Sequence, residues 1–324
     1  MNFHLTFPIT AFEQKVKYSQ KHLFIGSCFA ENIGETMEQY KFNVKINPHG
    51  ILYNPESIAI AIRRYIDNKA VQENELFFAN ECWNSWEHHS RFSNPDKQNC
   101  LTELNNNISS ANDFVKNGDW LFITFGSAFV YKLNRTNELV GNCHKVPNKE
   151  FTKHLLSVTE IVDDYSLLIQ QLKTLNPKLK IVFTVSPVRY IRDGVTENTL
   201  SKARLIQAVH ELVQQYDNSF YFPAYELVID DLRDYRFYKI DLVHPNEQAI
   251  TYVFEKLINT AFDEETKLLF EKIKNIITAK LHRPFNEASE SFQKFKTANL
   301  KKCLQLQKEY PFLDFGKETI TFEK

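Results

Sequence analysis

Apolar residues along this chain fall into short solid runs that alternate with stretches where they recur every three or four positions. Residues 23–25 form the first run; Gly26 breaks it, and Ala30, Ile33, Met37 and Tyr40 follow at helical spacing. That pattern predicts a buried strand, a tight turn at Ser27 and a helix. Residues 42–46 predict a second strand, ending at Asn47-Pro48-His49-Gly50. Asn54-Pro55 then supplies a cap and a first position for a helix that buries Ile58, Ala61, Ile62, Tyr65 and Ile66. Ahead of these elements, Phe3, Leu5, Phe7 and Ile9 alternate, which predicts an edge strand or hairpin within residues 1–20.

The same alternation continues. Residues 119–127 read as a buried strand ending in Gly126-Ser127. A hairpin about Asn134-Arg135-Thr136-Asn137 follows and delivers the polar cluster Gly141-Asn142-Cys143-His144-Lys145. A helix with Ile161, Tyr165, Leu168, Ile169 and Leu172 inward stops at Asn176-Pro177, and residues 180–186 form a strand running out at Pro187-Val188-Arg189. After a turn at Asp193-Gly194 comes a helix with Leu200, Ala203, Ile206, Val209 and Val213 inward. Residues 220–222 form a further strand, and residues 225–229 lie near the surface. Strand and helix in such regular exchange predict an α/β domain with a doubly wound parallel sheet. From Asp263 the exchange stops, leaving one helix with Leu268, Leu269, Ile273, Ile276, Ile277 and Leu281, and after Pro284 another with Phe292, Phe295, Leu300 and Leu304. The chain therefore divides into a domain of residues 1–262 and a helical extension of residues 263–324. The extension packs on the sheet domain or on a partner subunit, a route to a homo-oligomer.

Composition narrows the class. The formal net charge is −1 over 324 residues, so no overall field draws the chain to nucleic acid or an anionic membrane. Only 8 Gly stand against 27 Phe, which disfavours a glycine-rich nucleotide binder, and no cofactor is expected. Five widely spaced Cys with no C-x-x-C pair indicate neither a disulfide framework nor a metal site. No run approaches the roughly 18 apolar residues of a membrane span, and the first residues lack a signal-peptide core, so the expectation is a cytoplasmic protein. Within residues 68–118, Cys82-Trp83-Asn84-Ser85-Trp86-Glu87-His88-His89 reads either as a wall for a sugar or as a packed insertion, and a polar helix over residues 102–117 leads out of it.

Two places carry chemistry. Ser27 sits at the strand–helix turn, where the first amides of the helix face whatever binds there; as Ser is a preferred N-cap, it also suits a purely structural role. Asp241 and His244 lie three apart before a helix whose first position is offered by Pro245. A carboxylate at that spacing reaches one imidazole nitrogen and frees the other as a base for a serine. Caps at a helix start would explain the same residues.

Gly26-Ser27-Cys28-Phe29-Ala30 is the signature of the GSCFA family, bacterial relatives of the SGNH (GDSL-like) hydrolases. The chain resembles that family again at Asn47-Pro48-His49-Gly50-Ile51-Leu52-Tyr53-Asn54-Pro55, Phe125-Gly126-Ser127-Ala128, Asn142-Cys143-His144-Lys145, Ser186-Pro187-Val188-Arg189, Ser201-Lys202-Ala203 and Asp241-Leu242-Val243-His244-Pro245, in family order across about residues 20–262. The resemblance implies a three-layer α/β/α sandwich with a flavodoxin-like, SGNH-type parallel sheet. It also implies a serine-type acyl-ester hydrolase or O-acyltransferase, with Ser27 as nucleophile, His244 as base and Asp241 as its orienting partner. The oxyanion donors it implies are the amides of Ser27 and Gly50 and an Asn side chain. The usual Asn position is occupied by Ala128, so Asn142, returning on the hairpin, is the substitute. Gly126, Ser127 and Arg189 border the substrate, a small or carbohydrate ester, and Arg189 either meets a substrate carboxylate or pairs with an acidic neighbour. The alternative is a catalytically silent ligand-binding module with the same fold; Cys28 as nucleophile ranks last, since it should turn away from the sheet edge.

Overall fold

The apolar run after Lys21 has a hydrophobic side chain on both faces of the strand, and only a strand with layers on both sides can bury both. In the computed structural model, which describes residues 5–323, β1 (Lys21–Gly26) is accordingly an interior strand, with a neighbour on either side. Helix α1 (Cys28–Gln39) leads to β2 (Asn43–Ile46), and α2 (Pro55–Asp67) is capped by the Asn54 side chain on the Ser57 amide, as its Asn-Pro start predicts. An antiparallel hairpin follows, β3 (Leu76–Ala79) and β4 (Cys82–Ser85). Helix α3 (Lys97–Asn117) starts five residues before the expected one, because Asp96 caps the Asn99 amide. Then come β5 (Trp120–Phe125), β6 (Phe129–Leu133), β7 (Leu139–Val140) and β8 (Phe151–Leu155). The expected hairpin is β6 and β7, but β8 pairs with β6 from the other side to make a small antiparallel sheet.

Helix α4 (Val158–Leu175), β9 (Lys180–Val185), α5 (Val195–Gln215), β10 (Ser219–Tyr221) and the turn α6 (Ala224–Glu226) complete the alternation. Helices α7 (Glu247–Ala261), α8 (Glu264–Lys280), α9 (Glu290–Glu309) and α10 (Gly316–Glu323) close the chain. The main sheet runs β10-β9-β5-β1-β2, all parallel. In chain order that is the 2-1-3-4-5 arrangement of flavodoxin-like sheets, whose order reverses between its first and third strands, β1 and β5. Alternate side chains separate the two faces. Leu23, Ile25, Leu121, Ile123, Ile181 and Phe183 pack under α2 to α5. Phe24, Trp120, Phe122 and Val182 belong to the core of α1 and α7, which α8, α9 and α10 extend. The three-layer sandwich with a C-terminal helical appendage is thus the observed architecture, and among the described residues no helix is long and apolar enough to cross a membrane.

Several local expectations differ. Residues 5–20 form no strand or hairpin; their only ladder contact is a bridge from Val16 to Phe262, and Phe3 lies outside the described residues. Leu227 and Val228 are buried under α7 rather than near the surface. Leu268, Leu281 and Leu304 point outward, whereas Asn299, Cys303 and Leu306 form the buried face of α9. Leu200 is exposed as well: α5 buries Ser201, Lys202, Leu205, Ala208, Val209 and Leu212. With Asn198, three polar residues share that face; Val209 is inward as expected, and Leu205 and Leu212 replace Ile206 and Val213 as the fully buried positions.

Candidate active site

Ser27 follows β1 at the point where the sheet order reverses, the crevice in which open α/β sheets bind ligands. Gly26 makes the turn possible: its φ is +137°, and a Cβ there would lie 2.2 Å from the Thr124 carbonyl oxygen. The Ser27 hydroxyl accepts the Phe29 amide at 3.3 Å, so it is an N-cap, and the residue is 1% exposed. Its own N–H donates to the Thr124 carbonyl at 3.2 Å.

Asp241 and His244 are joined, with Oδ2 2.7 Å from Nδ1. The other carboxylate oxygen accepts the Val243 and His244 amides at 2.9 and 3.0 Å. Those two backbone N–H bonds and then the imidazole hold the Asp241 carboxyl down at about 2. The pair is half-exposed, and the Arg189 amide donates to the Val243 carbonyl at 3.3 Å, tying the loop to the chain just beyond β9, at the same end of the sheet as Ser27. Pro245 is not the first helical residue; Asn246 caps the Ala249 amide and α7 begins at Glu247. No hydrogen bond joins Ser27 to His244 in this conformation.

The residues expected around the oxyanion divide. The Gly50 N–H is committed to the Asn47 carbonyl at 2.7 Å. Asn142 uses Oδ1 to accept the His144 amide at 2.8 Å, the turn role open to any Asn, while its Nδ2 makes no hydrogen bond. Tyr53 contributes one carbonyl that accepts both the Gly126 and Ser127 amides, at 2.7 and 2.9 Å. Ala128, where the SGNH resemblance looks for an Asn, donates its N–H to Ser201 Oγ at 2.8 Å. Arg189 pairs with no carboxylate; its guanidinium lies 4.4 Å from the Tyr238 ring centre and 5.2 Å from that of Tyr235. Asp193 instead meets Lys153 at 2.5 Å.

Beside this turn is a cavity of about 660 Å³, bordered by Tyr53, Ser127, Phe129, Tyr131, Asn142 and Tyr190 among others. Gly126 stands between the cavity wall and the serine: a Cβ there would be 3.2 Å from Tyr53 Cδ1 and 3.4 Å from Ser27 Cβ. The expected tryptophan wall is absent from it. Trp86 stacks on Phe77 at 3.6 Å and Trp83 lies under Lys97, so both pack the β3–β4 insertion. His88 is buried there too, its Nδ1 2.9 Å from Ser85 Oγ and its ring stacked on His49 at 3.8 Å. Among the described residues no three His, Cys, Asp or Glu are grouped to hold a metal ion. Tyr53 and Lys202 were not among the sequence candidates; Tyr53 sits inside the matched Asn-Pro-His-Gly stretch extended to Asn54-Pro55, and Lys202 inside Ser201-Lys202-Ala203.

Comparison with curated proteins gives no match. Among solved structures, an acetyl xylan esterase from the rumen bacterium Butyrivibrio proteoclasticus is 10% identical, with 75% of this chain and 63% of that one covered and a TM-score of 0.38. A carbohydrate esterase family 3 protein from Talaromyces cellulolyticus is 13% identical over 50% of this chain and 67% of that one, with a TM-score of 0.26. Scores so low locate no residue, and the fold rests on the sheet order above. The sequence profiles are decisive by contrast: residues 21–257 match the GSCFA family and residues 273–324 match the GSCFA domain protein, C-terminal domain. This chain belongs to the GSCFA family.

Proposed function

We propose that this protein is a serine-type acyl-ester hydrolase or O-acyltransferase. The observation that carries the reading is the 2.7 Å Asp241–His244 hydrogen bond at the end of the sheet where Ser27 occupies the strand-order reversal. Ser27 Oγ attacks the acyl carbon as His244 Nε2 takes its proton. Asp241 keeps the proton on Nδ1 and stabilises the imidazolium. The imidazolium then protonates the leaving alcohol, and water or a second alcohol removes the acyl group from Ser27 by the reverse steps. The free Asn142 Nδ2 and the Cys28 amide, which has no carbonyl four residues back within α1, are the donors for the oxyanion. Catalysis requires the Asp241–His244 loop to bring the imidazole to about 2.6–3.2 Å from Ser27 Oγ. The tyrosine-lined cavity suits the hydroxyl-rich face of a carbohydrate alcohol or acyl acceptor.

A silent ligand-binding module is the second reading, favoured by the commitment of both the Ser27 and the Gly50 amides to backbone carbonyls. Purified protein assayed on short-chain aryl esters and acetylated sugars, with a fluorophosphonate probe, separates the two. The esterase reading expects turnover and labelling that vanish in Ser27→Ala. Sugar binding without turnover or labelling in the wild type supports the module instead.

A further inference from the structure

Lys202, on α5, is 1% exposed, yet no carboxylate accompanies it into the core. Burying a lone ammonium is costly, and a side chain of similar shape without charge would fill the same space. What it does instead is specific. Nζ donates to the Gly126 carbonyl at 2.6 Å and to the Ser186 carbonyl at 2.6 Å, the residues that directly follow β5 and β9. Its neighbour Ser201 accepts the Ala128 amide at 2.8 Å and lies 3.3 Å from Ser127 Oγ. Consecutive residues of α5 thus grip the whole Gly126–Ala128 turn, and Gly126 is the residue packed against Ser27. The ammonium charge also reaches the Cys28 thiol at the first position of α1.

We propose that Lys202 is a positioning residue of the Ser27 site, locking the ends of β5 and β9 beside the serine and adding positive charge at the N-terminus of α1. The charge would act where the oxyanion of ester cleavage develops, and that part rests on the esterase reading; the field at Cys28 does not. Burial lowers the Lys202 ammonium to about 7, a fall that the Cys28 thiol partly opposes, so the two groups sense one another. Cys28 itself is pushed up by burial and drawn back down by its own amide and then by Lys202.

The test uses Lys202→Met, close in shape and without charge. On an ester that the wild type turns over, kcat should fall about a hundredfold with KM little changed, as expected of lost alignment rather than lost binding. Independently, iodoacetamide alkylation of Cys28, followed by peptide mass spectrometry at a fixed pH below about 7, where the wild-type ammonium is mostly charged, should slow about tenfold while Cys143 keeps its rate. Unchanged Cys28 alkylation in a folded variant overturns the proposal, even if kcat falls, because the lysine would then be a structural tie alone. If the wild type cleaves no ester but Cys28 slows in the variant, the charged turn stands and the esterase reading fails. Should the variant not fold, lysine ε-carbon NMR of the wild type decides. A resonance titrating near neutrality and moving when Cys28 is carboxymethylated supports the assignment, and its absence refutes it.

Discussion

Acidification from about pH 7 to about pH 5 should remove a large part of this protein's stability, and three buried histidines are the reason. His22 faces Phe42 and Phe122, with one ring nitrogen on the Asn43 carbonyl at 3.2 Å; burial holds it at about 4 despite that bond. His88 is held by burial at about 3, and His49 is pushed well below its usual value by burial and by the neighbouring His88. Each has a buried ring nitrogen without a hydrogen-bond partner, so none has a ready acceptor for a new proton. In the unfolded chain all three titrate near 6.5. Between that value and about 4 the unfolded state therefore binds more protons, and stability rises with pH and is lost as pH falls. At about pH 5 His22 and His88 each contribute a loss of about 2 kcal/mol, about 4 kcal/mol together, and His49 adds to it in the same direction. Those two alone are a large share of the 5–15 kcal/mol typical of a whole domain's stability. The depressed carboxyls, such as Glu160 at about 2, withdraw their support only at lower pH, and the raised Glu35 and Glu56 act in the opposite sense as pH falls toward their ordinary value of 4.5. Urea unfolding followed by the fluorescence of buried Trp120 at several pH values measures the effect as a falling midpoint at constant slope. His22→Phe, which places an apolar ring among aromatic neighbours, should remove about 2 kcal/mol of that dependence. A wild-type midpoint that stays level from about pH 7 to about pH 5 would refute the argument.

Asn142→Ala should cut turnover roughly a hundredfold or more by removing an unbonded side-chain amide at the cavity, whereas Ser127→Ala should matter far less; steady-state kinetics with unchanged far-UV circular dichroism decides it, and near-wild-type turnover in Asn142→Ala removes that donor. Gly26→Ala should destabilise the fold by about 3 kcal/mol or more, since the methyl group would sit at 2.2 Å from Thr124 O on a backbone at φ +137°; thermal unfolding that matches the wild type would show that the turn relaxes freely.

The central sheet and the two chemical stretches were legible because each is written in adjacent residues. Gly26 ends a solid apolar run and Ser27 opens a helical one, while Asp241 and His244 lie close enough in the chain for one loop to join them. Pieces whose partners come from afar were not. The strand at residues 151–155 has little apolar pattern of its own and exists because β6 is there to pair with it. Helix α5 follows its apolar spacing only in part: Val209 is inward and Ile206 and Val213 pack against the core, but Leu200 and Ala203 face outward, since a register inferred from apolar spacing assigns Ser201 and Lys202 to solvent. Both are buried because backbone groups of the Gly126–Ala128 turn and of Ser186, distant in sequence, satisfy them. Arg189 illustrates the same limit: its expected acidic partner is replaced by two tyrosine rings from residues 235 and 238.

Glu318 on α10 is 2% exposed, and its carboxylate takes Lys41, from the turn after α1, at 2.7 Å and Lys280, at the end of α8, at 2.9 Å. Burial would raise this carboxyl, but the two lysines outweigh it and keep it charged. On the ribosome, Lys41 emerges some 277 residues before its counter-ion. At about 5–20 residues per second, that is on the order of 14–55 s of synthesis. During that interval Met37, joined late by Phe262, awaits part of its cover, for both are buried in the finished core with α8, α9 and α10. A nascent chain halted before α10 would thus present apolar surface beside an unpaired cation. That is a natural target for a holdase, and truncation at this end should reduce soluble yield before it alters the sheet that carries Ser27.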